Sequence, residues 1–446
     1  MKPANADNLL RSGLALDLYR KLTNEEDART CTDIPDSACE VTPGNFLLLL
    51  LSYFFTKLGD AIANPKTVLA WLVTAVGAPG FVLAMLVPIR ESGSLIPQLL
   101  IGAWMRSLPR RKWSWVAGAA LQAAAVMGLG AVAATLEGAA AGWAILGLLV
   151  VFSLARGLCS VASKDVIGKT VPKGRRGQLT GWSASIAGIV TLGFGAYLLF
   201  GKGQNLDLGF ISFALIAAGS LWLLAAATFA LVREYRGATE GGSFGFGEAL
   251  GNLTLIFHDP DFGRFVATRS LLMCSALSAP YYVALAQREL GSPGYLLGLF
   301  VIAGGLASLV SAPFWGRFAD RSSRQVMFFA ALVTAGAGLA IFAIATFAAS
   351  WLQSAWLIPV AYFVLSIAHS GVRVGRKTYV VDLASGSKRT DYVAVSNTII
   401  GVMLLLVGSL GVLTPLIGVA GMIGLLALMG LAGAALSQSL KDTQSS

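Results

Sequence analysis

This sequence has little charge. Only 13% of its 446 residues are Asp, Glu, Lys or Arg, against 56% hydrophobic, and mean hydropathy is +0.71. A soluble domain of this size needs far more polar surface, so the composition excludes one and indicates a chain that crosses a membrane many times. Histidine occurs twice and cysteine four times. Cys31 and Cys39 bracket a polar segment (CTDIPDSAC) at a spacing that fits no zinc or thioredoxin pattern, while Cys159 and Cys274 fall inside apolar runs. Neither a metal site nor a disulfide framework is therefore expected. No G-x-x-x-x-G-K-[ST] loop occurs, which argues against ATP as an energy source. No nucleophile, base and orienter recur together, so neither enzyme activity nor a cofactor is expected. The first 44 residues lack an early apolar core, and no signal peptide is expected. The formal charge of +10 sits in short segments between apolar runs and forms no nucleic-acid face.

What the sequence has is long apolar runs. About twelve can be marked, near 46–73, 80–103, 114–134, 142–163, 178–200, 209–231, 265–287, 295–316, 326–348, 353–374, 392–411 and 415–437. Each is long enough for a helix to cross a hydrocarbon core of about 30 Å, so the expected fold is an all-α membrane protein of twelve transmembrane helices. Positive charge follows every second span: Arg106, Arg110, Arg111 and Lys112; Lys169, Lys173, Arg175 and Arg176; Arg233 and Arg236; Arg317, Arg321 and Arg324; Arg376, Lys377, Lys388 and Arg389. Alternate loops hold little beyond Lys202 and Arg288. Basic loops stay inside, which predicts a multi-pass protein of a bacterial inner membrane with both termini cytoplasmic. The expected division is a cytoplasmic segment at 1–44, six-helix halves at 45–232 and 263–437, a glycine-rich linker at 233–262 and a tail at 438–446. Leu10, Leu14, Leu18 and Leu22 recur every four residues beside Arg11, Arg20 and Lys21, a pattern that fits an amphipathic helix on the inner membrane face or one docked on the protein's own loops.

The halves are copies. Residues 77–102 slide onto 291–316 without a gap, and Gly77, Pro79, Gly80, Leu83, Val87, Ser94, Leu95 and Gly102 meet identical residues 214 positions on. A second block, offset by 213, matches Lys164, Arg176, Ser183, Gly188 and Gly195 to Lys377, Arg389, Ser396, Gly401 and Gly408. Six-span repeats about a membrane-normal axis are one architecture of secondary transporters.

The loop from Gly316 to Arg324 (GRFADRSSR) resembles the G-x-x-x-D-R-x-x-R signature of the major facilitator superfamily. Its counterpart in the first half, GAWMRSLPRR from Gly102 to Arg111, resembles a degraded copy with Arg106 in place of the Asp. Twelve spans and the LGDAIANP stretch of span one also resemble the proton-driven drug and siderophore exporters of that superfamily. The resemblance covers residues 45–437. It implies two six-helix halves around a central cavity, alternating access, and a gate formed by Gly102, Arg106, Arg110, Gly316, Asp320, Arg321 and Arg324. Arg106 would repel a helix N-terminus where Asp320 attracts one.

Where the copies differ, polar residues inside a span are candidates for chemistry. In VPIRESGSLIPQ, Arg90 and Glu91 align with Gly304 and Gly305, so the fold itself does not demand charge there. Charges at bilayer depth are rare unless paired, hydrated or functional. Lys57, Asp60 and Asn64 share a face of span one at similar depth and are expected to meet one of that pair. Glu91, Ser94 and Gln98 share a face of span two. Asp60 or Glu91 is the expected proton acceptor. Arg156, mid-depth in span four, aligns with His369, and the resemblance implies a role in proton transfer or anion binding for it. Arg269, Tyr281, Tyr282, Gln122 and Asn397 are further candidates to line the cavity, whereas Arg373, Arg376 and Lys377 read as anchors at the inner face. The function these features predict is proton-linked secondary transport of a small amphipathic or zwitterionic solute by a monomer among membrane lipids, with export favoured. The alternative is a non-transporting receptor, assembly factor or lipid- or pigment-handling relative.

Overall fold

The computed structural model describes residues 13–23, 41–201, 206–236, 254–383 and 388–442, and every regular element among them is helical. Hydrocarbon offers the backbone no hydrogen-bond partner, so a spanning chain must satisfy its amides internally. The first half comprises α1 (Gly13–Thr23), α2 (Thr42–Ile62), α3 (Val68–Ala75), α4 (Gly80–Leu95), α5 (Gln98–Arg106), α6 (Lys112–Thr135), α7 (Gly138–Thr170), α8 (Lys173–Gly201) and α9 (Leu208–Ala230). The second half comprises α10 (Leu255–His258), α11 (Pro260–Leu271), α12 (Cys274–Leu277), α13 (Ala279–Leu290), α14 (Gly294–Ala319), α15 (Ser323–Phe347), α16 (Leu357–Leu383), α17 (Lys388–Ser409) and α18 (Thr414–Gln438).

Among the described residues ten stretches are long and apolar enough to cross a membrane, and one of them, Val395–Gln438, takes in both α17 and α18. Span seven, cut into α11, α12 and α13, completes the twelve. Span one is cut in the same way. Pro65 has no amide to donate, and the Asn64 side chain takes up the local slack by accepting from the Lys66 amide at 2.8 Å. The Asn64 carbonyl accepts from Leu69 at 3.0 Å, which lets the chain resume as α3.

The repeat has a physical cause at its most regular points. α4 and α14 both start at a Gly after a Pro, and the turns before them hold Gly77 at φ 68° and Gly291 at φ 77°. A side chain is strained in that left-handed region, so both copies require glycine. Gly195 and Gly408 are matched for a different reason. A Cβ on Gly195 would lie 2.7 Å from Ile302 of α14, and one on Gly408 would lie 2.4 Å from Pro88 of α4. These glycines mark two equivalent seams, α8 against α14 and α4 against α17, where the halves meet.

Three apolar cores show how far that meeting extends. One, holding Trp71, Phe152 and Trp222 with Tyr281, Tyr282 and Phe300, is shared by both halves at the end remote from the basic loops. At the basic end each half has its own: Phe46, Trp115 and Phe229 in the first, Phe262, Trp315 and Tyr379 in the second. The halves thus share one apolar core at one end, the fused end, and keep separate cores at the other, the parted end. α1 docks on the first half's core, with Tyr19 edge-on to Phe46 at 5.3 Å and the Leu22 carbonyl accepting from Trp182 Nε1 at 3.0 Å. Leu16 and Leu18 stay exposed. Leu10, Arg11, Cys31, Cys39 and the glycine-rich part of the linker lie outside the described residues.

Candidate functional site

Asp60, near the middle of the broken span one, is a hub for two arginines. Arg90 Nη2 of α4 donates to Asp60 Oδ1 at 2.6 Å, and Arg156 Nη1 of α7 lies 3.2 Å from each carboxylate oxygen. The expected meeting of spans one and two is therefore present, and span four joins it. The Arg90 side chain is 4% exposed and lies over the Phe152 ring at 4.4 Å, and its Nε and Nη1 have no hydrogen-bond partner. Asp60 and Arg156 are about one-third exposed at mid-span, 32% and 37%. Lys57 is exposed one turn away, with Asp60, Arg156 and Arg373 as its charged neighbours.

A second chain of contacts crosses the seam. Lys66, in the break of span one, places Nζ 2.8 Å from Nε2 of His369 on α16, and His369 Nδ1 lies 3.1 Å from Ser275 Oγ on α12. An ammonium only donates, so Nε2 must accept and the ring proton sits on Nδ1. The imidazole is then neutral and donates to Ser275, whose hydroxyl donates to the Leu272 carbonyl at 3.0 Å, where span seven breaks. Both broken spans are tied to span ten at mid-depth. Lys66 was not singled out in the sequence, although it interrupts an apolar run as Arg90 does.

Glu91 stands apart. Among the described residues its carboxylate makes no hydrogen bond or ion pair, yet Arg156, Arg90, Lys66 and Arg376 are its charged neighbours. Arg376 is a charged neighbour of Glu91, and Arg373, itself exposed, of Lys57. α16 runs on to Leu383, and His369, Arg373 and Arg376 fall at i, i+4 and i+7, one face of a single helix turned toward the first half. That spacing was readable in the sequence and was the missed signal.

Other candidates have narrower roles. Arg269 and Asn397 do meet: Arg269 Nη2 donates to Asn397 Oδ1 at 2.9 Å and Nη1 to Ser396 Oγ at 2.8 Å, tying α11 to α17. Tyr281 and Tyr282 are buried in the shared core. Gln122 contacts Cys159 Sγ at 3.2 Å, and Asn64 serves the span-one break. Gln98 opens α5 half-buried, and Ser94 turns its hydroxyl back to the Glu91 carbonyl at 2.8 Å, so no hydrogen-bonded Glu91–Ser94–Gln98 track forms.

The basic loops brace each half separately. Glu234, buried at the end of span six, accepts from the amides of Arg111 and Lys112 at 2.9 and 2.8 Å, where a carboxylate also complements the N-terminus of α6. Lys169 pairs with the same carboxylate at 3.2 Å, and Arg111 pairs with Asp165. In the second half Arg324 donates to the Leu440 carbonyl at 3.3 Å and sits 3.6 Å from Asp442. Asp320, Arg321 and Arg110 are exposed, and Gly102 and Gly316 have open space beside them. The Arg106 side chain lies outside the described residues. The expected gate residues are thus in place but do not touch across the seam among the described residues.

A sequence profile described as Major Facilitator Superfamily matches residues 49–402. Solved structures are similar in fold across nearly the whole chain. A D-xylose-proton symporter aligns with TM-score 0.67 at 14% identity, covering 90% of this chain and 98% of its own. The nucleoside transporter NupG aligns with TM-score 0.63 at 10% identity, covering 89% and 98%. A POT family transporter in complex with a thioalcohol-conjugated peptide aligns with TM-score 0.66 at 13% identity, covering 92% and 98%. No curated protein matches the sequence.

Proposed function

The chain belongs to the major facilitator superfamily, a family of membrane transporters rather than enzymes, and from that premise we propose that it moves a small organic solute by proton-linked alternating access. One observation carries this reading. The mid-membrane charges of Asp60, Arg90, Arg156, Lys66 and His369 lie where the halves meet, at the boundary between the fused end and the parted end. A site so placed faces one side now and the other after the halves rock. Seam glycines keep the helix surfaces smooth enough to part and re-close.

The geometry separates the two carboxylates. A proton on Asp60 would weaken charge-assisted bonds from two guanidiniums, whereas a proton on Glu91 breaks no direct bond. Glu91 is therefore the coupling carboxylate in this reading, and Asp60 the fixed counter-charge that holds spans one, two and four together. Charges of both signs beside aromatic rings suit an amphipathic or zwitterionic solute. Export is implied by the span-one resemblance alone, and no residue of the site carries it. The basic loops would face the cytoplasm of a bacterial inner membrane, with the monomer as the working unit.

The test is reconstitution into liposomes with an imposed pH gradient. Solute-dependent collapse of the gradient is expected, with the pH dependence of uptake lost in Glu91→Gln. A protein that neither accumulates any candidate solute nor collapses the gradient has no place in this reading. That outcome would favour a receptor or assembly role.

A further inference from the structure

The charges around the seam do not balance. Lys66, Arg90, Arg156, Arg373 and Arg376 form one electrostatic neighbourhood with only Asp60 and Glu91 as acids. Asp60 is already shared by two arginines. Arg373 and Arg376 have no carboxylate within ion-pairing distance among the described residues, and two buried nitrogens of Arg90 have no partner. Uncompensated cations at this depth are costly, and no carboxylate among the described residues supplies the missing negative charge.

Building on the transport reading above, we infer that the solute carries an anionic group of the carboxylate or phosphate class, and that it travels together with a proton on Glu91. The anion is held by Arg373 and Arg376 from the second half and by Lys66 and Arg156 from the first. Three of these, Arg376, Lys66 and Arg156, are also the cations that surround Glu91, with Arg90 the fourth. Of the other groups packed there, Asp60 is engaged by the arginines and His369 by Lys66 and Ser275, and α17 offers the Gly401 carbonyl, which accepts from Ser92 at 2.7 Å. A bound anion draws the shared cations away from Glu91. The carboxylate, less stabilised, then takes a proton from the medium, forming one O–H bond and changing no other. By linkage the proton strengthens anion binding by the same factor. Proton and anion therefore bind together, which is the logic of symport and runs against the exporter resemblance of span one.

The purified full chain in detergent can be titrated calorimetrically at pH 6 and pH 8 and matched ionic strength. The probes are sulfate and phenylacetate, with phenylacetamide and phenethylamine as neutral and cationic counterparts. Saturable binding of the anions is expected, about tenfold tighter at pH 6 for phenylacetate, with the amide and amine about tenfold weaker than phenylacetate. Arg376→Gln should weaken phenylacetate about tenfold and Arg376→Lys should recover part of it. Glu91→Gln should bind at pH 8 as wild type does at pH 6. Binding confined to the amide or amine, no saturable anion binding, or unchanged affinity in Arg376→Gln overturns the inference. Phosphatidylglycerol added to the same detergent is a further arm: binding of the lipid alone, with soluble anions inert, replaces a solute by a headgroup. Liposome flux separates the two readings. Anions that bind and are never carried remove the transporter and leave the site, while carriage of a neutral or cationic solute without anion binding does the reverse.

Discussion

The two halves share a scaffold and divide the chemistry. By the repeat offsets, Asp60 matches Cys274, Lys66 matches Pro280, Arg90 and Glu91 match Gly304 and Gly305, and Arg156 matches His369. Running the other way, Arg373 and Arg376 of the second half match Ser160 and Ser163. The first half therefore holds both acids and a self-braced cluster, while the second presents cations without acids. Packing shows why the exchange is tolerated. A Cβ on Gly305 would lie 2.8 Å from the Leu192 side-chain tip, so a side chain there would have to displace Leu192 at the α8–α14 seam. At the equivalent depth the first half leaves Glu91 half-buried. Duplication preserved what the seams need and released what they do not.

The comparison breaks most visibly at Asp60. Asp60→Ala leaves Arg90 and Arg156 facing each other without a counter-charge. We expect a loss of about 3 kcal/mol, at the low end for a buried pair because Asp60 is one-third exposed. Denaturant melts in detergent measure it, and a variant as stable as wild type would show that the hub is not structural. Next come the matched seam glycines. Gly408→Val and Gly195→Val should each overpack a seam by about 1–3 kcal/mol and open the fused end. Distances between spin labels at Thr74 and Arg288 should lengthen in both variants, and a response from only one would show that the seams are unequal. Smaller again is the tie between halves. A double-mutant cycle of Lys66→Met with His369→Leu should give a coupling of about 1 kcal/mol, and additive losses would mean the 2.8 Å contact does no work. Last is Glu91→Gln, expected to destabilise less than Asp60→Ala because no direct bond is lost, only the longer-range attraction to the cations around it. A large loss there would move Glu91 from the coupling role to the brace.

Much of this was legible in the sequence, and the limits have physical reasons. Apolar run length and loop charge predict twelve spans because hydrocarbon thickness and backbone bonding leave few other solutions. The Gly77–Gly291 match survives because a left-handed turn enforces it. That one of Arg90 and Glu91 meets span one near Asp60 followed from depth. What depth cannot give is the partner's azimuth: which of Arg90 and Glu91 turns to Asp60, and that Arg373 and Arg376 turn inward with His369, depend on how whole helices are rotated. Nor does a loop motif reveal its state. The residues expected to gate include Arg324, which in this state donates to a carbonyl of its own half.

The single apolar core shared by the halves has a thermal consequence. If the halves rock as proposed, the opposite state must expose Trp71, Tyr281, Tyr282 and their neighbours on one side while covering apolar surface at the basic end. Apolar hydration carries a large heat capacity, and its driving force weakens on cooling. Unless the two areas are equal, the balance between the states drifts with temperature, and cooling favours whichever state buries less. The resting orientation of the protein is then a property of the membrane's temperature as well as of its gradients.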